Sequence, residues 1–123
     1  KDWKGPAEGE RPSAYIVILG DTDISTDFWC DHGIAGQSIL LGACEAGIAG
    51  CFIGAINKEK LREVLAIPKR YKIMLVIALG EPAEKIIIES TAPSGDIKYW
   101  RDEKGVHHVP KRPLTEIILK YYK

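Results

Sequence analysis

Two continuous apolar runs predict buried β-strands. Residues 14–19 read AYIVIL, and residues 72–79 read KIMLVIAL. Runs of this length, apolar at odd and even positions alike, are typical of strands that are covered on both faces. Gly20 follows the first run, and Gly80 and Pro82 follow the second, so each predicted strand has a clear end.

Between these strands, Asp31–Asn57 has the most unusual pattern, DHGIAGQSILLGACEAGIAGCFIGAIN. It predicts a long helix with Asp31 as its N-cap, a tight turn closed by Gly50, and a short strand over residues 51–55. The helix is apolar almost all round, which is typical of a helix buried on every side. In a chain of 123 residues, this pattern favours a partner subunit that supplies part of the cover.

Glycines are frequent in this stretch, and the predicted helix contains Gly33, Gly36, Gly42 and Gly47. Each glycine in a helix interior costs about 0.5–1 kcal/mol relative to alanine. Close approach of a second backbone is the usual compensation, so we expect a twin helix to pack here. Gly54, in the middle of the predicted strand, indicates that a ligand or another backbone comes close there as well.

Smaller elements are predicted in the rest of the chain. Asn57 is a good N-cap for a helix that extends to about Ala66 and is stopped by Pro68. Residues 83–96 are predicted as loop, although Ile86, Ile87 and Ile88 have the composition of an extended segment. Two short strands over 97–101 and 106–109 flank a turn closed by Gly105, and residues 114–122 predict a terminal helix. This alternation of strands and helices predicts a mixed α/β or α+β fold.

Composition limits the classes of function. The chain is long enough for one domain, with 46% apolar and 28% charged residues. Its formal net charge is zero and no basic stripe with aromatics is present, so we expect no nucleic-acid partner. No apolar run reaches the length of a membrane span, so we expect no membrane association. Three cysteines without a CxxC pair favour a reducing compartment, and we expect a cytoplasmic protein.

Metal and thiol chemistry have little support in the sequence. The possible ligands lack the paired spacing of zinc sites, so no metal site is predicted from Cys30, His32, Cys44, Cys51, His107 and His108. No cysteine adjoins a basic cluster that would activate it, so inert, buried thiols are favoured over a nucleophile. The spacing of Gly47, Gly50 and Gly54 does not match a dinucleotide or phosphate-binding loop.

Lys111 and Arg112 form a basic pair between Pro110 and Pro113, just ahead of the predicted terminal helix. Such a pair can hold a phosphate, since arginine binds phosphate oxygens in a bidentate manner. A solvated basic turn is the other interpretation, and spacing alone favours it.

Together, the motifs resemble the FMN-dependent nitroreductase family. The matching blocks, in chain order, are residues 5–6 (GP), 12–18 (PSAYIVI), 31–43 (DHGIAGQSILLGA), 45–56 (EAGIAGCFIGAI), 61–68 (LREVLAIP), 75–82 (LVIALGEP) and 107–114 (HHVPKRPL). The family's arginine-rich segment at the start of its N-terminal helices has no match in this sequence. We therefore expect residues 1–123 to be the C-terminal part of a single nitroreductase-like domain.

The resemblance implies a mixed sheet flanked by helices, in an obligate homodimer that binds FMN at the subunit interface. It implies that the strand after the central helix lies against the flavin ring, a role that falls on Phe52, Ile53, Gly54 and Ala55. It also implies that Lys111 and Arg112 hold the FMN phosphate.

The implied reaction is hydride transfer from NAD(P)H, as co-substrate, through FMN to a small-molecule electron acceptor such as a nitroaromatic or a quinone. No side chain is expected to act as a catalytic acid or base, because the cofactor carries the chemistry. The alternatives are a flavin- or ligand-binding dimeric module without reductase activity, or another flavin chemistry on this fold, such as dehalogenation or flavin cleavage.

Overall fold

The computed structural model describes residues 5–91 and 95–122, which belong to two compact units, Lys1–Pro82 and Ala83–Lys123. The first unit contains β1 (Ala14–Asp21), α1 (Asp31–Glu45), β2 (Ala49–Ile53), α2 (Lys58–Val64) and β3 (Tyr71–Gly80). The second contains β4 (Ile86–Ser90), β5 (Trp100–Arg101), β6 (His107–Lys111) and α3 (Leu114–Ile117). The combination of helices with two small sheets confirms the predicted mixed α+β class.

The sheet of the first unit has the order β1-β3-β2, with both pairings antiparallel. β3 is central and carries the buried apolar residues of the described chain, Ile73, Val76, Ile77 and Ala78. The prediction of a buried strand is therefore confirmed for the middle of β3, where consecutive residues 76–78 are buried, whereas Lys72 in the same strand is exposed. For β1 it is wrong, because β1 pairs with β3 alone among the described strands and Tyr15 is 55% exposed.

α1 differs from its prediction at both ends. Cys30, not Asp31, is the N-cap and makes no side-chain capping bond, while Asp31 lies in the first turn, where a carboxylate favours the helix dipole. At the other end, the N–H of Gly47 donates to the carbonyl of Cys44 (3.0 Å), and the N–H of Ile48 donates to the carbonyl of Ala43 (2.8 Å). This is a Schellman motif, so the prediction of Gly47 inside the helix is wrong: with φ +75°, it terminates the helix.

β2 begins and ends two residues before the predicted strand, so Gly50 lies inside it and Gly54 lies beyond its end. A Cβ on Gly50 would lie 2.6 Å from Leu40 Cδ2 and 2.9 Å from the carbonyl oxygen of Ala78. A Cβ on Gly54 would have no such neighbour within 4 Å. The glycine required by close packing in this strand is therefore Gly50, and the prediction of Gly54 in mid-strand is wrong.

α2 begins as predicted, because the side chain of Asn57 accepts a hydrogen bond from the backbone N–H of Lys60 at 3.0 Å. It ends at Val64, two residues before the predicted end. The guanidinium of Arg62 donates to the carbonyls of Ile67 (3.1 Å), Pro68 (2.9 Å) and Tyr71 (2.8 Å). These bonds fasten the connection that leads from α2 into the central strand.

In the second unit, β6 pairs in parallel with β4 and antiparallel with β5. The prediction of a loop over 83–96 is wrong for Ile86–Ser90, where pairing with β6 satisfies the backbone of an isoleucine-rich strand. Residues 92–94 of that predicted loop lie outside the described residues. The predicted hairpin is confirmed, but its strands are Trp100–Arg101 and His107–Lys111 rather than 97–101 and 106–109. In its turn, Gly105 has φ +76° and the Asp102 carboxylate accepts hydrogen bonds from the N–H groups of Lys104 and Val106.

The predicted terminal helix over 114–122 is wrong beyond its first turn. α3 ends at Ile117, and Ile118 is extended, with φ −92° and ψ 109°. Leu119 and Tyr122 are 98% and 84% exposed. A short helix over residues 114–122 would be stable only if packing covered its apolar face, and the described chain does not provide that cover.

Candidate functional site

The end of β2 presents an open edge of backbone. β2 pairs only with β3 among the described strands, so its other edge carries N–H and C=O groups without a strand partner. Phe52 and Ile53 are its last two residues, and Gly54 and Ala55 follow as exposed, non-helical chain. The four residues predicted to face a flavin are thus contiguous: Phe52 and Ile53 end the open-edged strand, and Gly54 and Ala55 follow it.

Phe52 has a fixed position in this edge. It lies opposite Ile77 in the β2–β3 register and is 44% exposed. A Cβ on Gly36 of α1 would lie 2.8 Å from Phe52 Cε1 and 3.1 Å from Leu75 Cδ2. The close approach at Gly36 therefore occurs within the chain, which corrects its interpretation as a contact with a twin helix.

The other helix glycines leave an open surface on α1. A Cβ on Gly33 or Gly42 would have no neighbour within 4 Å. Ile34 and Leu41 are 65% and 62% exposed, and Gly36 is the one buried residue of α1. The expectation of a helix buried on every side is not met within the first unit, so any cover must come from elsewhere.

Lys111 and Arg112 lie in the second unit, at the end of β6. Both side chains are exposed, and the ion pairs of the described residues do not include either cation. Lys111 is fixed through its backbone, since its carbonyl accepts from the N–H of Thr91 at 3.1 Å. The pair is therefore held on an ordered strand end, with its charges available to an anion.

Two histidine clusters, one on each histidine of β6, were not predicted from the sequence. His107 Nδ1 lies 3.1 Å from Glu84 Oε1, and Arg101 donates to Glu84 Oε2 at 2.7 Å. The hydrogen bond from Arg101, followed by that from His107, lowers the pKa of Glu84. The sequence feature that could have revealed these clusters is the strand Ile86–Ser90. Its pairing with β6 places Glu84, which precedes the strand, and Glu89, which lies in it, beside the two histidines.

His108 forms the second cluster. Its Nδ1 lies 2.6 Å from Glu89 Oε1, and its Nε2 lies 3.5 Å from Asp102 Oδ2. The hydrogen bond with Glu89 is the main cause that raises the pKa of His108, with burial opposing it and Asp102 adding to it. The backbone N–H of Val106 is the main cause that lowers the pKa of Asp102.

The cysteines differ from their expected setting. Cys30, Cys44 and Cys51 are free and exposed, so the prediction of buried thiols is wrong. Within residues 5–91 and 95–122, no three histidine, cysteine or acidic side chains come together as a metal site would require. None of the helices in the described part of the chain is long and apolar enough to cross a membrane.

Comparison with known proteins identifies the fold and the family. A model of the nitroreductase family matches residues 8–81. A protein of Archaeoglobus fulgidus, proposed to be an NADH dehydrogenase/NAD(P)H nitroreductase, is 35% identical over 81 residues, covering 59% of this chain and 47% of that protein. The oxygen-insensitive NADPH nitroreductase of Salmonella typhimurium is 31% identical over 94 residues, covering 75% of this chain and 36% of the enzyme.

The crystal structure of a nitroreductase family protein from Clostridium novyi NT is similar to this fold, with a TM-score of 0.50 and 32% identity. The match covers 55% of this chain and 42% of that one. This chain thus spans less than half the length of each of these relatives. Because the family's pattern covers β1 through β3, including the open edge of β2, this chain belongs to the nitroreductase family.

Proposed function

We propose that this chain is part of an FMN-dependent oxidoreductase. The proposed reaction takes hydride from NAD(P)H and delivers it, through FMN, to a small acceptor such as a nitroaromatic or a quinone. Family membership and the names of the Archaeoglobus and Salmonella relatives support this reaction. We also propose that residues 1–123 are the C-terminal part of a single nitroreductase-like domain, so the activity is that of the complete domain.

The observation that carries the proposal is the open edge of β2, which lies within the segment matched by the family. Backbone N–H and C=O groups that follow one another along a strand edge can bind the polar rim of a flat heterocycle, as they would bind another strand. Gly54 supports close approach, since no side chain screens its backbone and the space around its Cβ position is empty. Phe52 and Ile53 supply the adjoining apolar contact.

Lys111 and Arg112 are proposed to bind the FMN phosphate. Arginine can bind two phosphate oxygens at once, and lysine adds a point charge. Their freedom from ion pairs within the described chain supports this role, because no internal carboxylate competes with the phosphate.

FMN, when bound, supplies the ability to accept and release a hydride, and the protein has to orient the ring and exclude competing reactions. Phe52–Ala55 would fix the ring's edge, and backbone dipoles there would tune its electronics. No side chain is assigned as a general acid or base.

The exposed face of α1 is proposed to pack in a homodimer. Ile34 and Leu41 present apolar surface, and the empty space at Gly33 and Gly42 would let a second helix approach closely. Free cysteines support a reducing, cytoplasmic location.

The test is the visible spectrum of the purified complete domain, before and after anaerobic addition of NADH or NADPH. A yellow protein that bleaches supports the reductase. A colourless protein that takes up no FMN contradicts the proposal. A yellow protein that stays yellow favours a flavin-binding dimer without reductase activity, and bleaching without transfer to nitroaromatics or quinones favours another flavin chemistry.

A further inference from the structure

His108 contacts residues from both neighbouring strands in the sheet of the second unit, which consists of β4, β5 and β6 and is called the small sheet below. It lies on β6; Glu89 belongs to β4, and Trp100 belongs to β5. Trp100 is directly opposite His108 in the β5–β6 register, and the two rings stack with centroids 4.0 Å apart and planes 7° apart. The His108 side chain is only 12% exposed, whereas the side chain of Glu89 is 38% exposed and Trp100 is 48% exposed.

The two ring nitrogens of His108 face different carboxylates: Nδ1 is hydrogen-bonded to Glu89 at 2.6 Å, whereas Nε2 is buried 3.5 Å from Asp102 without a hydrogen bond. A neutral imidazole has one N–H, so one of its nitrogens would direct a lone pair at a carboxylate. An imidazolium has two N–H groups and can face both carboxylates favourably. A cation is also the form that an aromatic face such as that of Trp100 attracts.

The groups that act on His108 are Glu89 from β4 and Asp102 from the turn after β5. The adjacent histidine is separate, because neighbouring residues of a strand face opposite sides of the sheet. His107 meets Glu84, whose carboxylate also has the permanent charge of Arg101 as a partner. Glu84 therefore has a permanently charged partner besides His107, which makes His107 the natural control.

We propose that His108 is a protonation-controlled clasp, which joins the three strands of the small sheet when it is charged and loosens them when it is neutral. Two backbone hydrogen bonds mark the ends of the region that the clasp controls. The N–H of His107 donates to the carbonyl of Lys85 (2.9 Å), and the N–H of Thr91 donates to the carbonyl of Lys111 (3.1 Å). The clasp therefore holds the strand end that carries Lys111. Its bearing on phosphate binding rests on the proposed function, but the clasp itself does not.

The direction of the pH dependence follows from the raised pKa of His108 in the folded protein. The stabilisation is complete below the ordinary histidine pKa of 6.5 and is lost as the pH rises through the higher folded value. The lowered pKa of Asp102, caused mainly by the hydrogen bond from the Val106 N–H, keeps this carboxylate charged beside His108 further into the acidic range.

The test is amide hydrogen exchange of the full chain, without flavin, at about pH 6 and about pH 8.5, expressed as protection relative to the unstructured peptide. We expect protection of the Thr91 and residue 107 amides to fall several-fold between these pH values. Protection of Ile77 in β3 should stay constant, since it reports the first unit. In His108→Gln, the two amides should be weakly protected at both pH values, and His107→Gln should keep the pH dependence of the wild type.

Equal protection of Thr91 at both pH values in the wild type would overturn the proposal, as would an unchanged pH dependence in His108→Gln. If His108→Gln also loses protection at Ile77, the substitution has destabilised the first unit as well as the clasp. Glu89→Gln is then the test variant, and in it the protection of the Thr91 amide must no longer depend on pH. Since no flavin takes part, failure of the clasp and failure of the proposed enzyme activity are separate results.

Discussion

Glycine has different roles at different positions in the first unit. At Gly50, a Cβ would collide with Leu40 and Leu79 side chains and with the carbonyl oxygen of Ala78. At Gly47, the requirement is conformational, because φ is +75° at the end of α1. At Gly54, neither condition holds, so its lack of a side chain leaves backbone accessible to a ligand.

Gly50→Ala should destabilise the protein by about 1–3 kcal/mol, because the backbone oxygen of Ala78 cannot move aside as a side chain can. Gly54→Ala is the matched control and should change the free energy of unfolding little, since its Cβ position is empty. Urea denaturation of both variants measures the difference. Equal stability of the two would contradict the close packing seen at Gly50.

Replacing Lys111 and Arg112 together with alanine should lower the affinity of the complete domain for FMN by roughly tenfold or more, because charge-assisted hydrogen bonds to the phosphate are lost. Affinity for riboflavin, which lacks the phosphate, should stay nearly constant. The control is replacement of the exposed Lys98 and Lys104, which removes two charges elsewhere in the second unit. Equal losses of FMN and riboflavin binding would remove the phosphate role.

At the scale of elements, sequence patterns predicted the strands of the first unit and failed at the terminal helix and at β4, which depend on packing or pairing with distant residues. β3 was predicted because its apolar run reflects burial, with Ile77 completely buried. The terminal helix was overpredicted, since its periodicity assumes a packing surface that the described chain does not supply. β4 was predicted as loop although its isoleucines have the composition of an extended segment, because its pairing with β6, about 20 residues away, is not visible in a local pattern.

α1 provides a direct test of the proposed dimer. A Cβ on Gly42 has no neighbour within 4 Å in the described chain, so we expect Gly42→Leu to leave the first unit itself undisturbed. If a second α1 packs there, the variant should weaken dimerisation of the complete domain strongly, because the backbones can no longer approach. Lys60→Leu, at an exposed position of α2, is the control for added apolar surface.

Sedimentation velocity over a range of concentrations measures the dimer dissociation constant of each variant. A Gly42→Leu protein that dimerises as the wild type does would place the interface elsewhere on the molecule.

At the scale of the whole molecule, the family could be predicted from the order and spacing of short motifs, although each motif alone was weak. The match over residues 8–81 confirms that prediction. The candidate site was predicted only as two separate groups of residues, Phe52–Ala55 and Lys111 with Arg112, which the structure places in different compact units. The histidine clusters of β6 were not predicted, because they depend on a parallel pairing between distant segments.

The most direct test of the central claim is the absorbance spectrum of the purified complete domain, recorded anaerobically before and after NADH or NADPH. We expect an oxidised-flavin spectrum that bleaches on addition of the nicotinamide and returns when a nitroaromatic or quinone acceptor is added. A protein that remains colourless after incubation with FMN would contradict it.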